Sequence, residues 1–304
     1  MSGPQISWLP DGRRLHMNHG PIDLIVEAFG AEEERSAAYA QAAARFHTIL
    51  EELVAELPDL RKPSLQGAPR SFTGATARRM HGACQPFAEG FVTPMVAVAG
   101  AVADEMLAAL VKCRMLDRAY VNNGGDIAVH LAPGSSMRLA IAGAGHGLAD
   151  RATISADSAV RGIATSGWRG RSHSLGIADA VTVLARSAAA ADAAATLIAN
   201  AVDLPGHPAI RRVPARELSP DSDLGERLVT VAVGTFTPSE VARALTSGLA
   251  VADDIRRRGL IEAAALFLGG EARMSGSSEA KPMGRLPLRQ RDQRSRDLHG
   301  RKHA

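Results

Sequence analysis

The chain has 304 residues, of which 46% are hydrophobic and two are cysteine, so it has enough apolar residues for a large core but no disulfide framework. Its net charge of +3 does not indicate nucleic-acid binding, because residues 275–304 carry eight Lys or Arg against three Asp or Glu. We expect one domain over residues 1–274, a basic disordered tail over residues 275–304, and no nucleic-acid partner.

The N-terminal residues lack the positively charged segment and the following apolar segment of a signal peptide, so we expect no signal peptide. The longest apolar run, residues 95–103, is shorter than the roughly 20 residues that a bilayer requires. We therefore expect a cytoplasmic protein without a membrane partner.

The first half of the chain is predicted to contain two strands and two helices. Alternating apolar residues over 15–29, interrupted by Gly20-Pro21, predict two strands joined by a turn. Residues 31–57 show an apolar stripe at helical spacing, and Pro58 is predicted to end this helix. A second apolar helix is predicted over residues 93–112, where small residues permit close packing.

A glycine pair interrupts the strand predicted over residues 120–131. Gly124 and Gly125 indicate a bend or a close approach of the backbone to a ligand. Asp126 follows and is suited to accept hydrogen bonds from a ring edge or a ribose. An Asx turn at a β-bulge explains the same residues without a ligand, so both interpretations stay open.

Successive strands are predicted over residues 152–155, 162–167 and 173–178. Thr165 and Ser166 offer hydroxyl donors to a phosphate or a ring carbonyl, and Gly167 permits the backbone to turn. His173 is either a structural histidine in a strand or a catalytic one. The glycine-rich segment 143–147 is either a turn or a phosphate-binding loop.

The most informative segment is a buried strand over residues 180–185 followed by an alanine-rich helix. Asp192 and Thr196 are four residues apart and share one face of that helix. A carboxylate beside a hydroxyl suits a magnesium ion, whereas a buried Asp that caps a neighbouring loop is the alternative. Beyond it, a strand over 228–233, a helix over 238–258 and a strand over 260–267 are predicted.

Taken in this order, the segments resemble the ApbE superfamily, whose best-known members are FAD:protein FMN transferases. The resemblance covers about residues 87–200 and rests on Pro-Met-Val-Ala-Val-Ala-Gly-Ala before Asn-Gly-Gly-Asp, then Thr-Ser-Gly, then Ala-Asp-x-x-x-Thr. The segments are most similar to a small cytosolic branch of that superfamily. The resemblance implies an α+β fold, an antiparallel-rich sheet with helices packed on it, and we expect a homodimer.

The resemblance also implies a cleft for a planar heteroaromatic ring joined to a diphosphate. By analogy, Asp192, Thr196 and the backbone oxygen of Ala88 are expected to bind Mg²⁺. Asp192 is also expected to be catalytic, together with His173, which stands where the flavin transferases have a histidine. The residues expected to hold the ring and the sugar are Asn123, Gly124, Gly125, Asp126, Thr165, Ser166 and Gly167.

The function that the resemblance implies is a magnesium-dependent transferase acting on a small-molecule substrate, either FAD or a pterin diphosphate. Glu89 stands where flavin transferases carry a lysine, and this reversed charge argues against flavin transfer to proteins. Some relatives occur in organisms with methanopterin-based metabolism, which makes tetrahydromethanopterin-type cofactor biosynthesis a further alternative. The competing hypothesis is a flavin-binding module without turnover.

Overall fold

The computed structural model describes residues 3–68, 70–140 and 151–276. The strands are β1 (Gln5–Trp8), β2 (Leu15–His19), β3 (Ile22–Gly30), β4 (Leu116–Asn123), β5 (Asp126–Leu131), β6 (Ser136–Ala140), β7 (Arg151–Ser155), β8 (Gly162–Ser166), β9 (Ala180–Ala185), β10 (Ile210–Pro214), β11 (Leu228–Val233), β12 (Ala263–Leu268) and β13 (Glu271–Ser275). The helices are α1 (Glu32–Leu60), α2 (Ala75–Cys84), α3 (Val98–Val111), α4 (Ala188–Ala201), α5 (Ala215–Leu218) and α6 (Pro238–Arg257). Segment 143–147 and residues 277–304 of the predicted tail lie outside the described residues.

Nine strands of the described chain form one sheet in the order β1-β2-β3-β4-β5-β8-β9-β12-β13. Every adjacent pair is antiparallel. Helices α1, α3, α4 and α6 pack side by side on the sheet. The structure confirms the predicted α+β fold with an antiparallel sheet covered by helices.

The buried side chains form two large clusters, one on each side of the β5–β8 junction. One cluster includes Phe46, Met106 and Val121 from the first half of the chain. The other includes Val183, Ile198 and Leu245 from the second half. The helices α3 and α4 meet where these clusters adjoin, and the polar residues predicted for the site lie near this junction.

Each of the two central helices supplies an acceptor to the N-terminus of the other. Asp104 of α3 accepts hydrogen bonds from the amides of Ala188 and Ala189, at 3.0 and 2.9 Å. Asp192 of α4 accepts one from the amide of Gly100, at 3.0 Å. The first amides of a helix have no partner within the helix, so these carboxylates satisfy groups that would otherwise be buried unpaired. This exchange fixes the position of Asp192 relative to α3.

Three predictions of local structure were wrong. Pro58 lies inside the last turn of α1, which continues to Leu60. Residues 173–178 form a loop, because both edges of β9 are already paired, with β8 and β12. Residues 120–131 are not a bent strand but the hairpin of β4 and β5.

Within the described part of the chain, the segment Pro94–Val111 has the length and hydropathy of a membrane span, and half of it is buried inside this fold. It consists of a 3-10 turn over Pro94–Ala97 followed by α3. Because α3 packs against α1 and α4, its apolar composition is explained by a position in the core.

Candidate active site

A cavity of about 610 Å³ opens at the junction of the two core clusters. Nine of the eleven predicted site residues line it, namely Asn123, Gly124, Asp126, Thr165, Ser166, Gly167, His173, Asp192 and Thr196. They come from the β4–β5 turn, the end of β8, the loop after it and one face of α4. The antiparallel order therefore brings together three motifs that are spread between residues 123 and 196 of the sequence.

The β4–β5 turn requires its two glycines. Gly124 has a φ of +63° and Gly125 one of +115°, a region that side chains rarely adopt. The amide of Gly125 donates to Oδ1 of Asn122 at 2.8 Å, and Nδ2 of Asn123 donates to the carbonyl oxygen of Ala99 at 3.1 Å. These bonds close the turn and attach it to the start of α3, which positions the neighbouring Asp126.

Two of the carboxyl groups that line this cavity, those of Asp126 and Asp192, have raised pKa values. Oδ1 of Asp126 accepts a hydrogen bond from the amide of Thr165 at 3.3 Å, and burial raises the pKa of Asp126 to about 7. Burial also raises the pKa of Asp192, and the neighbouring carboxylate of Asp126 raises it further. Two neighbouring carboxyl groups are unfavourable when both are ionised. Such a pair is characteristic of a site that binds either a proton or a cation.

Hydroxyl groups complete the oxygen-rich end of the cavity. Oγ1 of Thr196 donates to Oγ of Ser166 at 3.4 Å, and Oγ1 of Thr165 lies 2.9 Å from that of Thr182. No cluster of three or more His, Cys, Asp or Glu suited to a metal occurs among the described residues. The oxygen set of two carboxylates and hydroxyls fits Mg²⁺, which keeps several waters and uses few protein ligands beside substrate phosphates.

His173 lines the cavity from a loop rather than from a strand. Its Nε2 is 3.0 Å from Oγ of Ser219, a residue of the segment that also contributes Asp221 and Asp223 to the wall. The hydroxyl of Thr93 donates to Oδ2 of Asp223, which attaches this wall to the segment before α3.

Two predicted site residues lie elsewhere among the described residues. Gly125 does not line the cavity, and neither does Ala88, whose amide donates to the carbonyl of Gln85. The adjacent Glu89 is exposed and is also absent from the lining. The charge conflict expected between Glu89 and a diphosphate therefore does not arise inside this cavity.

Three further charged residues, which the sequence did not indicate, reach the cavity from distant parts of the chain. Arg61 follows the last turn of α1, and Asp221 and Asp223 precede β11. None of them belongs to a recognisable motif. No local pattern could indicate them, because only the fold brings the end of α1 to the cavity that α4 also lines.

We expect the free energy of unfolding, measured without divalent cations, to fall as the pH rises from about 4 to about 7. The folded pKa of Asp126, about 7, exceeds the unfolded value of about 4, so over this range the folded state binds more protons and loses stability as they dissociate. The shift corresponds to at most about 4 kcal/mol. Urea unfolding of the wild type and of Asp126→Asn at several pH values tests this, since the variant should be less stabilised by acid. An identical pH dependence in both proteins would refute it.

A family model described as AbpE bacteria matches residues 6–274. UPF0280 proteins of Methanopyrus kandleri and Methanothrix thermoacetophila are 37% identical over 137 residues and 39% identical over 113 residues. These alignments cover 45% and 36% of this chain, and they span only about half of each relative, 51% and 46%.

Two solved structures match this chain at low sequence identity. A flavin transferase ApbE of Vibrio cholerae has 14% identity and a TM-score of 0.46, over 88% of this chain and 98% of that protein. The apo flavinyl transferase ApbE of Pseudomonas stutzeri has 14% identity and a TM-score of 0.42, over 92% and 96%. The match of the family model over nearly all of the described residues is the decisive finding. The chain belongs to the AbpE bacteria family, which confirms the ApbE-like resemblance of its motifs.

Proposed function

We propose that this protein is a magnesium-dependent transferase that acts on a small molecule carrying a heteroaromatic ring and a diphosphate. The observation that carries the proposal is the pair of carboxyl groups, Asp126 and Asp192, held in one cavity beside three hydroxyl residues. Burial and mutual repulsion raise the pKa of Asp192, so a bound cation would relieve an arrangement that is unfavourable when both groups are ionised.

Asp192 and Thr196 would hold the magnesium ion, with Asp126 and Ser166 close by. When bound, Mg²⁺ would supply charge neutralisation for a phosphate leaving group. Oδ2 of Asp192 accepts a hydrogen bond from the amide of Gly100. The bond to Gly100 fixes the orientation of the carboxylate, as ligands to metals require.

The cavity walls supply the remaining parts of such a site. Asn123, Gly124 and Asp126 line one wall of the cavity and would lie beside the planar ring and the sugar of the ligand. Thr165 and Ser166 offer hydroxyls to its polar edge. His173, whose Nε2 also contacts Ser219, would accept the proton of the attacking nucleophile. With FAD, a new P–O bond would form as the bridging P–O bond to AMP breaks. With a pterin diphosphate, the new bond would form at the pterin-bound carbon as its C–O bond to pyrophosphate breaks.

We propose FAD as the first candidate substrate, with AMP as the leaving group, and a pterin diphosphate in tetrahydromethanopterin-type cofactor biosynthesis as the second. Incubating the purified protein with each compound, with and without Mg²⁺, and following AMP or pyrophosphate release by chromatography tests the proposal. Release that depends on Mg²⁺ is expected with one of the two.

The competing function is a flavin-binding module without turnover. It is favoured by one observation, that the Nε2 of His173 contacts a serine hydroxyl and no carboxylate among the described residues. Stoichiometric FAD binding without any release would support the module, and the absence of binding by either compound would reject both functions. The expected homodimer is part of the proposal and is tested by analytical ultracentrifugation.

A further inference from the structure

Arg171 lies directly against the glycine turn of the cavity. A Cβ atom placed on Gly124 would come within 2.0 Å of Nη2 and 3.1 Å of Cζ of Arg171. The guanidinium group therefore occupies the space that a side chain at position 124 would need. The positive φ of Gly124 explains why the residue is a glycine, and the position of Arg171 is a second, independent reason.

The charge of Arg171 has no carboxylate within ion-pair distance among the described residues. Arg169, two positions earlier in the same loop, is different, because its Nε donates to Oδ1 of Asp179 at 2.9 Å. Both arginines line the cavity, and Arg171 also lies against the turn that precedes Asp126. Arg171 is close enough to Asp126 to lower the pKa of that carboxyl, against the larger effect of burial.

We propose that Arg171, held over Gly124, recognises the phosphate groups of the cavity's ligand, and that position 124 is glycine to leave room for its guanidinium. The planar guanidinium matches two phosphate oxygens at once, and an arginine without a protein partner keeps its donors free for such a ligand. The inference rests on the proposed function, because it takes the ligand of this cavity to carry a diphosphate.

The proposal predicts a loss of affinity that is specific for the phosphates. FAD and riboflavin share the ring and the ribityl chain, and only FAD has the diphosphate. With Mg²⁺ present, Arg171→Gln should weaken FAD binding by at least about tenfold and riboflavin binding by less than about twofold, since the lost contact is a charge-assisted hydrogen bond. Titration of flavin fluorescence measures both affinities.

A second variant tests the role of the glycine. Gly124→Ala should displace the end of the flexible Arg171 side chain and weaken FAD binding as Arg171→Gln does, and the double variant should show no further loss. Gly134→Ala is the matched control, because Gly134 has a φ of +79° but open space around its Cβ position, so it introduces similar backbone strain without moving Arg171. Thermal unfolding of each variant verifies the fold.

The outcomes separate this inference from the function on which it rests. Equal weakening of FAD and riboflavin by Arg171→Gln, an unchanged FAD affinity, or an equal effect of Arg169→Gln would overturn the role of Arg171 while the proposed function stands. Failure of the wild type to bind FAD or a pterin diphosphate would overturn the proposed function and this inference together. Additive losses in the double variant would overturn the role of Gly124.

Discussion

Asp192→Asn is expected to reduce magnesium-dependent release of AMP from FAD, or of pyrophosphate from a pterin diphosphate, by at least about 100-fold. The amide of asparagine retains the shape of the carboxylate and an oxygen for the bond to Gly100, but it removes the charge that would attract the metal ion. The rate at saturating Mg²⁺ and its dependence on Mg²⁺ concentration measure the effect.

The same variant should remain folded. The raised pKa of Asp192 means that its ionised form opposes folding, so at pH 8 without Mg²⁺ the variant is expected to unfold at a temperature equal to or above that of the wild type. Added Mg²⁺ should raise the unfolding temperature of the wild type only, because a ligand that binds the folded state stabilises it. If the Asp192→Asn variant turned over at the wild-type rate with an unchanged dependence on Mg²⁺ concentration, Asp192 would not hold the metal.

Gly100→Ala is expected to lower the free energy of unfolding by about 3 kcal/mol or more. A Cβ at this position would lie 2.3 Å from the carbonyl oxygen and 2.5 Å from the carbonyl carbon of Ala188, which are backbone atoms of α4. Because backbone atoms cannot rotate away as a side chain can, α3 and α4 would have to separate, which would also break the bond between Gly100 and Asp192.

Gly82→Ala provides the control for this experiment. Gly82 is an exposed residue of α2 with nothing within 4 Å of its Cβ position, so alanine there should stabilise the protein by about 0.5–1 kcal/mol through its better helix propensity. Urea unfolding of the two variants gives both values. Surface substitutions typically change the free energy of unfolding by less than about 0.5 kcal/mol. A change no larger than this in Gly100→Ala would contradict the close approach of the two helices.

The sequence could predict the site residues that belong to local motifs. Gly124 requires a positive φ, and the change from β-branched to small residues marks the boundary between β9 and α4, so sequence alone locates both features. For Asp192, spacing left a metal ligand and a capping residue as alternatives. The structure shows that it caps α3 and lines the cavity, so the two interpretations do not exclude each other.

Residues whose role depends on long-range packing could not be predicted. Arg61 reaches the cavity only because α1 ends beside it, and Asp223 because its segment bonds to Thr93, 130 positions away. The strand predicted for residues 173–178 was wrong for a similar reason, since its apolar pattern fits a strand but the sheet offers no free edge there. Ala88 was assigned by resemblance alone, and the structure does not bring it to the cavity.

The most direct test of the account is an anomalous difference map from a crystal grown with Mn²⁺, as a substitute for Mg²⁺, and FAD or a pterin diphosphate. The account predicts one strong peak within about 2.5 Å of an Asp192 carboxylate oxygen and the Thr196 hydroxyl, with diphosphate oxygens completing the shell. A diphosphate ligand bound in the cavity with no peak at Asp192, or with its metal held by other residues, would contradict it.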